Sequence, residues 1–273
     1  MNSRAERDKE WAEIATRLRE GPMLLLAGHP DDETIGASWL LSHFPNSFVA
    51  FLTDGAPRDT NLWSAGVNGS RDEYANTRHK EAICALSIPG IPEQNIFWLH
   101  AVDQEAAFAI SRLAQDFAEL LATIRPLAVV THPYEGGHPD HDSAAVVARA
   151  ATTRLNESNR PLLLEMTSYH ARRGACITGE FLAANEPEVV LELNDDDRVR
   201  KRKMLNTYTS QRLVLGNFST DIERLRCAPD YDFSLPPHRG TLWYECMGWP
   251  MTGVRWCELA ACAIAELQEH SWR

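Results

Sequence analysis

The sequence predicts an α/β protein with a Rossmann-like, mostly parallel sheet that carries helices on both faces. Short apolar runs recur along the first half of the chain, and segments with a helical spacing of apolar residues fall between them. This alternation is typical of βαβ units with right-handed crossovers. The runs are apolar throughout and bounded by turn residues, as expected for strands that are buried on both faces.

The elements can be assigned in order along the chain. Trp11, Ile14 and Leu18 recur at helical spacing, which predicts an amphipathic N-terminal helix within residues 1–21. Apolar runs predict strands at residues 23–27, 47–53, 95–99, 127–131, 162–169 and 189–193. Helical patterns predict helices at residues 71–86, 103–124, 139–155, 195–208 and 256–267.

The last part of the chain is less regular. Residues 228–240 contain three prolines and predict a long surface loop. Since no linker, repeat or low-complexity tract divides the chain, we expect a single domain over residues 1–273, with residues 212–273 as an irregular C-terminal extension. The six cysteines include no C-x-x-C pair and are expected to be free thiols.

The charge and hydropathy pattern excludes several classes of partner. The chain has 38 acidic and 27 basic side chains, and this net charge of −11 argues against nucleic acid as a partner. No apolar run approaches the roughly 18 residues that a membrane span needs. The first twenty residues are charged throughout and lack the apolar core of a secretory signal, so we expect a cytoplasmic protein. Nothing in the sequence indicates the oligomeric state.

The first chemical motif directly follows the first predicted strand and reads Ala27-Gly28-His29-Pro30-Asp31-Asp32-Glu33-Thr34. In open α/β sheets, ligands bind outside the carboxyl ends of the strands. Three consecutive carboxylates beside a histidine are electrostatically costly unless a cation compensates their charge. A divalent metal ion would do so.

The second motif follows the fourth predicted strand and reads His132-Pro133-Tyr134-Glu135-Gly136-Gly137-His138-Pro139-Asp140-His141. The two motifs can meet if their strands are neighbours in the sheet. Together they supply imidazole and carboxylate ligands without a thiolate, which favours a catalytic zinc site over a structural one. Fe²⁺, Mn²⁺ or Co²⁺ could use the same ligands.

Each motif also has a structural interpretation. Proline in the first turn and an aspartate that caps free backbone amides would explain either motif alone as a helix N-terminus. Both motifs occur in one chain, and each stands at a strand-to-helix junction. Their joint occurrence favours the metal hypothesis.

The two motifs resemble those of the LmbE/PIG-L family of zinc-dependent N-deacetylases, which act on substrates that contain N-acetylglucosamine. The family's A-H-P-D-D-E segment appears here with Gly28 inserted, and its H-P-D-H segment is unchanged at residues 138–141. The segment 78–82 and the pair Ser210-Gln211 resemble further family motifs. The resemblance extends over residues 23–211 and implies an LmbE-like fold.

The resemblance also implies a role for individual residues. The implied metal ligands are His29, Asp32 and His141. Asp31 would be the general base, and His138 would act as an electrostatic stabiliser or acid with Asp140 hydrogen-bonded to it.

Two further residues are candidates for substrate binding. In some relatives a tyrosine just ahead of H-P-D-H assists the oxyanion, and here Tyr134 is the nearest candidate, with a packing role as the alternative. Arg78 could bind a substrate hydroxyl or phosphate, or it could form a structural ion pair with Glu81 or another acid.

The implied reaction is zinc-dependent removal of an N-acetyl group from a small-molecule substrate, expected to be an amino-sugar glycoside. The nearest alternative is an amidase that cleaves another small-molecule amide, such as a thiol conjugate, on the same metal site. A Rossmann-like nucleotide-binding module is disfavoured because no G-x-G-x-x-G follows the first strand. A metal-stabilised protein without catalytic activity is the third alternative.

Overall fold

The computed structural model describes residues 4–182 and 187–269, and it confirms the predicted α/β architecture. The strands are β1 (Met23–Ala27), β2 (Ser47–Thr53), β3 (Ile96–Ala101), β4 (Ala128–Thr131), β5 (Leu162–Met166), β6 (Tyr169–Arg172), β7 (Ala175–Thr178), β8 (Glu188–Glu192) and β9 (Ile222–Cys227). The helices are α1 (Arg4–Glu20), α2 (Asp32–His43), α3 (Arg71–Ser87), α4 (Ile110–Ile124), α5 (Pro139–Thr153), α6 (Asp195–Thr207), α7 (Arg212–Leu215), α8 (Trp243–Cys246) and α9 (Gly253–Glu269).

The main sheet has the strand order β3-β2-β1-β4-β5-β9-β8. Strands β1 to β5 pair in parallel, and β9 is antiparallel to both of its neighbours. Strands β6 and β7 form a separate hairpin. Because β1 and β4 are adjacent, the two motifs that follow them lie side by side at the carboxyl edge of the sheet, as the metal hypothesis requires.

The central strand β1 is buried on both faces, and its side chains divide between two apolar layers. Leu24 and Leu26 pack in the layer that contains residues of α4, α5 and α9. Met23 and Leu25 pack in the layer that contains residues of α1, α2, α3 and α6. This alternation has the period of two expected for a strand, and it confirms that helices cover both faces of the sheet.

Two predicted elements differ from the structure. The helix predicted at 103–124 begins only at Ile110, because the backbone N–H groups of Gln104 and Ala106 donate to the carboxylate of Asp140 instead of entering a helix. The strand predicted at 162–169 ends at Met166, and the chain then leaves the main sheet to form β6. The hydropathy pattern does not predict where β5 ends, because β5 and β6 both contain buried apolar residues.

The C-terminal part contributes more to the fold than the sequence indicates. Strand β9 inserts between β5 and β8, although its sequence contains three charged residues out of six. Glu223 and Arg226 are buried there because Lys201 and Glu165 pair with them, each at 2.8 Å. Helix α9 packs its Trp256 in the same apolar layer as α4 and α5. Residues 228–240 form a loop, as predicted.

The described helices include none that is both long enough and apolar enough to cross a membrane.

Candidate metal centre and active site

The loops after β1 and β4 make direct contact at Gly28. Its N–H donates to His132 Nε2 at 3.0 Å. A Cβ atom at this position would lie 2.7 Å from the His141 ring, which is closer than a real Cβ atom approaches. The glycine inserted in the first motif therefore allows the His141 imidazole to reach the first loop.

Three side-chain atoms form a nearly equilateral triangle at this contact. His29 Nδ1 lies 3.2 Å from Asp32 Oδ2, which lies 3.1 Å from His141 Nε2, and the two histidine nitrogens are 3.3 Å apart. All three residues are buried. Ligand atoms bound tetrahedrally to zinc at about 2.0–2.1 Å would lie about 3.3 Å from one another. The donor set therefore fits a divalent metal and leaves a fourth position for water or substrate.

His132 offers an alternative donor beside this triangle. Its Nε2 lies 3.3 Å from Asp32 Oδ2, and its ring stacks on that of His141 with centroids 3.9 Å apart. However, this nitrogen already accepts the N–H of Gly28. Because its lone pair is engaged in that bond, His29 is the better third ligand.

The electrostatics at Asp32 and His141 favour metal binding. Burial raises the pKa of Asp32, but His141 and His132 outweigh burial and hold it well below its ordinary value. Burial lowers the pKa of His141 to about 3. An ionised carboxylate and a neutral imidazole are the states that bind a metal ion. Burial also lowers the pKa of His29, but the nearby carboxylates, above all Asp103, raise it well above its usual range, so a metal would displace a proton there.

The opposite nitrogen of His29 is held by carboxylates. His29 Nε2 lies 3.1 Å from Asp140 Oδ2 and 3.2 Å from Asp103 Oδ1. The Asp140 carboxylate is fixed in turn by the backbone N–H groups of Gln104, at 2.6 Å, and Ala106, at 3.0 Å. A carboxylate that orients a histidine from its far nitrogen is a common arrangement behind metal-binding histidines.

The predicted hydrogen bond between Asp140 and His138 is present, but the backbone of Asp140 forms it and the carboxylate does not. The Asp140 carboxylate binds His29, and its Oδ2 atom is 3.8 Å from His138 Nδ1. His138 instead caps α5, because its Nδ1 accepts the backbone N–H of Asp140 at 3.1 Å. The helix therefore begins at Pro139 with the Asp140 side chain directed towards the loop after β1.

Asp31 lies beside the triangle in an unusual backbone conformation. Its φ of 126° and ψ of −27° are unfavourable for a residue other than glycine, and such strain is concentrated at functional sites. Its carboxylate accepts from both terminal nitrogens of Arg78, each at 3.2 Å. Burial raises the pKa of Asp31 to about 7, even though the charge of Arg78 opposes this shift.

His138 faces His29 from the second loop, with ring centroids 4.3 Å apart. Its Nε2 lies 2.7 Å from the side-chain amide of Gln104. Burial and the neighbouring histidines His29 and His141 hold its pKa well below the usual range. Trp249 packs edge-on against the His138 ring at 4.8 Å between centroids.

The two residues predicted to bind substrate lie in different places. Arg78 lines the cleft and pairs with Asp31, whereas Glu81 accepts hydrogen bonds from Thr209 and Ser210. The structure places Tyr134 outside the cleft. Its ring packs in an aromatic cluster, and its hydroxyl donates to the Leu235 carbonyl at 2.9 Å.

A cleft of about 300 Å³ opens above these residues. Sequence reasoning missed three of its polar residues, namely Asp103, Gln104 and Tyr169. Asp103 comes shortly after the carboxyl end of β3, so its strand-end position was a usable signal. Gln104 lies in the loop after β3 and Tyr169 begins β6, and neither position carries a comparable signal in the sequence.

Residues 24–152 match the family described as PIG-L: GlcNAc-PI de-N-acetylase. The match includes both motifs and all three residues of the triangle. The LmbE/PIG-L resemblance of the sequence is thus confirmed for this segment.

Two curated proteins are similar to about half of the chain. A 1D-myo-inositol 2-acetamido-2-deoxy-alpha-D-glucopyranoside deacetylase of Rhodococcus erythropolis is 27% identical over 167 residues, which cover 51% of this chain and 57% of the relative. A probable N-acetyl-alpha-D-glucosaminyl L-malate deacetylase 2 of Bacillus cereus is 26% identical over 156 residues, which cover 53% and 66%. The chain thus spans less than two thirds of the length of either relative.

A solved structure is similar over a larger part of the chain. The structure of a deacetylase in the biosynthesis pathway of teicoplanin matches with a TM-score of 0.58 at 17% identity. The match covers 75% of this chain and 96% of that one. At this identity the likeness establishes the fold.

Proposed function

We propose that the protein is a metal-dependent hydrolase that removes the N-acetyl group from an amino-sugar substrate. The observation that carries the proposal is the buried triangle of His29, Asp32 and His141 with the Asp31 carboxylate beside it. The PIG-L match supports the reaction class. The names of the two relatives support the substrate class, because both describe the deacetylation of an N-acetylglucosaminyl compound.

His29, Asp32 and His141 would hold the metal. Zn²⁺ suits two imidazoles and one carboxylate, and Fe²⁺ could use the same ligands. When bound, the ion lowers the pKa of a coordinated water to about 7 and polarises a carbonyl oxygen. Asp140 orients His29 for this task, because it holds the far nitrogen of the ring at 3.1 Å.

Asp31 is the proposed general base. It lines the cleft, and Arg78 fixes its carboxylate through two hydrogen bonds. As water adds to the amide carbon, Asp31 takes the proton that the water loses. The carbon–nitrogen bond then breaks, and the proton passes to the departing nitrogen. The products are acetate and a free amine.

His138 is the proposed stabiliser of the negative charge that develops on the carbonyl oxygen. It faces His29 across the cleft and is held by Asp140 and Gln104. Such preorganised polar groups cost no reorganisation when the charge develops. On the polar wall of the cleft, Asn61, Ser64 and Gln211 offer amides and a hydroxyl for the substrate's sugar hydroxyls.

The experiment is a measurement of acetate release from a panel of N-acetylated amino sugars and their glycosides. We expect the zinc-loaded protein to release acetate from at least one glycoside, a chelator to stop the release, and added Zn²⁺ to restore it. A control panel of simple N-acetylated amino acids separates a sugar deacetylase from an amidase of other small molecules. If the zinc-loaded protein releases no acetate from any amino sugar, the proposal is wrong.

A further inference from the structure

Part of the cleft lining is apolar although it is open to solvent. We call the set of apolar residues that the C-terminal segments add to this lining the apolar wall; its members are Val214, Phe218, Met247 and Trp249. Val214 is 48% exposed and Met247 is 50% exposed. Isolated exposed apolar residues are ordinary on protein surfaces. Here, however, two separate chain segments place such residues around one cavity, next to the proposed reacting groups.

The first segment of the apolar wall is fixed by the polar side of the cleft. Helix α7, which carries Val214, begins directly after Gln211. The Gln211 amide donates to the Tyr74 hydroxyl at 2.6 Å, and its carbonyl accepts from the Ser64 hydroxyl at 3.1 Å. The position of Val214 is therefore coupled to the residues proposed to bind sugar hydroxyls.

The second segment is fixed by a turn after α8. Gly248 has a φ of +68°, a conformation that favours glycine, and it separates Met247 from Trp249. The backbone N–H of Trp249 donates to the Tyr244 carbonyl at 3.0 Å, which closes the turn. Both side chains thereby line the cleft.

Helix α8 is anchored in turn on the second motif. The Trp243 N–H donates to the Gly136 carbonyl at 2.8 Å. Trp256 of α9 donates its ring N–H to the Pro139 carbonyl at 3.0 Å. The apolar wall therefore has a defined position relative to His138 and is part of the site rather than of the outer surface.

The chemistry of the wall indicates what it binds. Val214 and Met247 have no strong hydrogen-bonding group and no flat ring, so these two residues suit neither sugar hydroxyls nor stacking on a sugar face. The rings of the other two members, Phe218 and Trp249, already pack against Tyr169 and His138. They gain free energy only when apolar surface covers them. Methionine also adapts its shape to irregular apolar partners.

We infer that the substrate carries an apolar alkyl or aryl group next to the reacting amide and that the apolar wall binds this group. The inference rests on the proposed function of the same site, and it specifies the substrate class further. The group belongs to the aglycone of the glycoside when the acyl group is acetyl, as proposed above; on the acyl side it would make the substrate a longer N-acyl amino sugar. Both sources share the same chemistry, and the experiment separates them.

The test is calorimetric binding of reaction products to the zinc-loaded protein, which does not depend on turnover. Methyl and hexyl α-D-glucosaminide form the aglycone arm, and acetate and hexanoate form the acyl arm. A methylene fully removed from water strengthens binding about fourfold, so five methylenes that are half covered predict about thirtyfold tighter binding of the hexyl compound. This gain in the aglycone arm, or about fifteenfold tighter binding of hexanoate in the acyl arm, where the chain is four methylenes longer, supports the inference and identifies the source. Equal affinities within about twofold in both arms would overturn it.

Matched variants connect the effect to the wall. We expect Val214→Ser to reduce the preference for the longer chain at least about threefold and Val214→Ile to retain it. Leu213→Ser is the control, because Leu213 is the adjacent residue of α7, is 72% exposed and does not line the cleft. A hexyl preference that Val214→Ser leaves unchanged would contradict a role for the wall. If acetate release fails on every amino sugar while the hexyl preference persists, the proposed reaction is wrong and the apolar site stands.

Discussion

The floor and the apolar wall of the cleft are built in opposite ways. The floor, which consists of His29, Asp31, Asp32, His138 and His141, comes from two short segments at the ends of adjacent strands. Its side chains are buried and hydrogen-bonded. The apolar wall comes from α7 and the turn after α8, and its Val214 and Met247 are half exposed. This difference suggests that the floor determines the reaction and the wall determines which substrate is accepted.

The largest effect that this comparison predicts is the loss of the metal from the floor. In Asp32→Ala we expect zinc content to fall from one ion per chain to near zero and acetate release to fall more than about 10³-fold, because the carboxylate of the triangle is missing. Metal analysis and the acetate assay check this. Asp72→Ala, which removes a largely exposed carboxylate of α3, should change neither quantity. An Asp32→Ala protein that folds and keeps its zinc would contradict the assignment.

A smaller loss of activity is expected for Asp31, the floor residue that is proposed to take up the proton and does not bind the metal. Asp31→Asn should lower kcat by about 10²–10⁴-fold while zinc content stays unchanged, because the variant keeps the shape of the side chain but cannot accept the proton. Parallel measurements of kcat, KM and zinc content separate this outcome from metal loss. Full activity in Asp31→Asn would show that another group is the base.

Substitution of Asp140, which orients His29 from outside the floor, is expected to have a smaller effect than substitution of Asp32 or Asp31. Asp140→Asn should weaken zinc binding about 10–100-fold, because the carboxylate that orients His29 is replaced by a neutral amide. Zinc competition with a chelator of known affinity measures this, and excess Zn²⁺ should restore much of the activity. If zinc affinity is unchanged and only kcat falls, Asp140 acts through His138, as the sequence analysis expected.

The smallest effect concerns a residue that shares the second motif but not the cleft. Tyr134→Phe removes the hydrogen bond to the Leu235 carbonyl and should lower the free energy of unfolding by about 1 kcal/mol. The rate of acetate release should change less than twofold. Urea unfolding measures the stability, and the acetate assay measures the rate. A large drop in kcat at unchanged stability would show that Tyr134 takes part in the reaction.

The sequence predicted the floor because its signals are local. Two compact motifs at strand ends identify His29, Asp32 and His141, and the parallel sheet brings them together. Asp140 does bond His138, but through its backbone N–H; the sequence did not show that its carboxylate faces His29, because residue types do not indicate which of two nearby histidines a carboxylate faces. The signals for β9 and the apolar wall are not local. The sequence of β9 does not resemble a buried apolar strand, because its buried charged side chains form ion pairs with residues distant in sequence. The apolar wall forms only where the C-terminal segments pack against the second motif.

The most direct test of the central claim is calorimetric titration of Zn²⁺ into the metal-free protein and two matched variants. His29→Gln removes a proposed ligand, whereas His132→Gln removes the alternative donor and keeps an acceptor for the Gly28 N–H. With folding verified by circular dichroism, we predict one tight site in the unmodified protein and in His132→Gln, and at least about 10²-fold weaker binding in His29→Gln. Unchanged zinc affinity in His29→Gln, with binding lost in His132→Gln, would contradict the claim that His29, Asp32 and His141 form the metal centre.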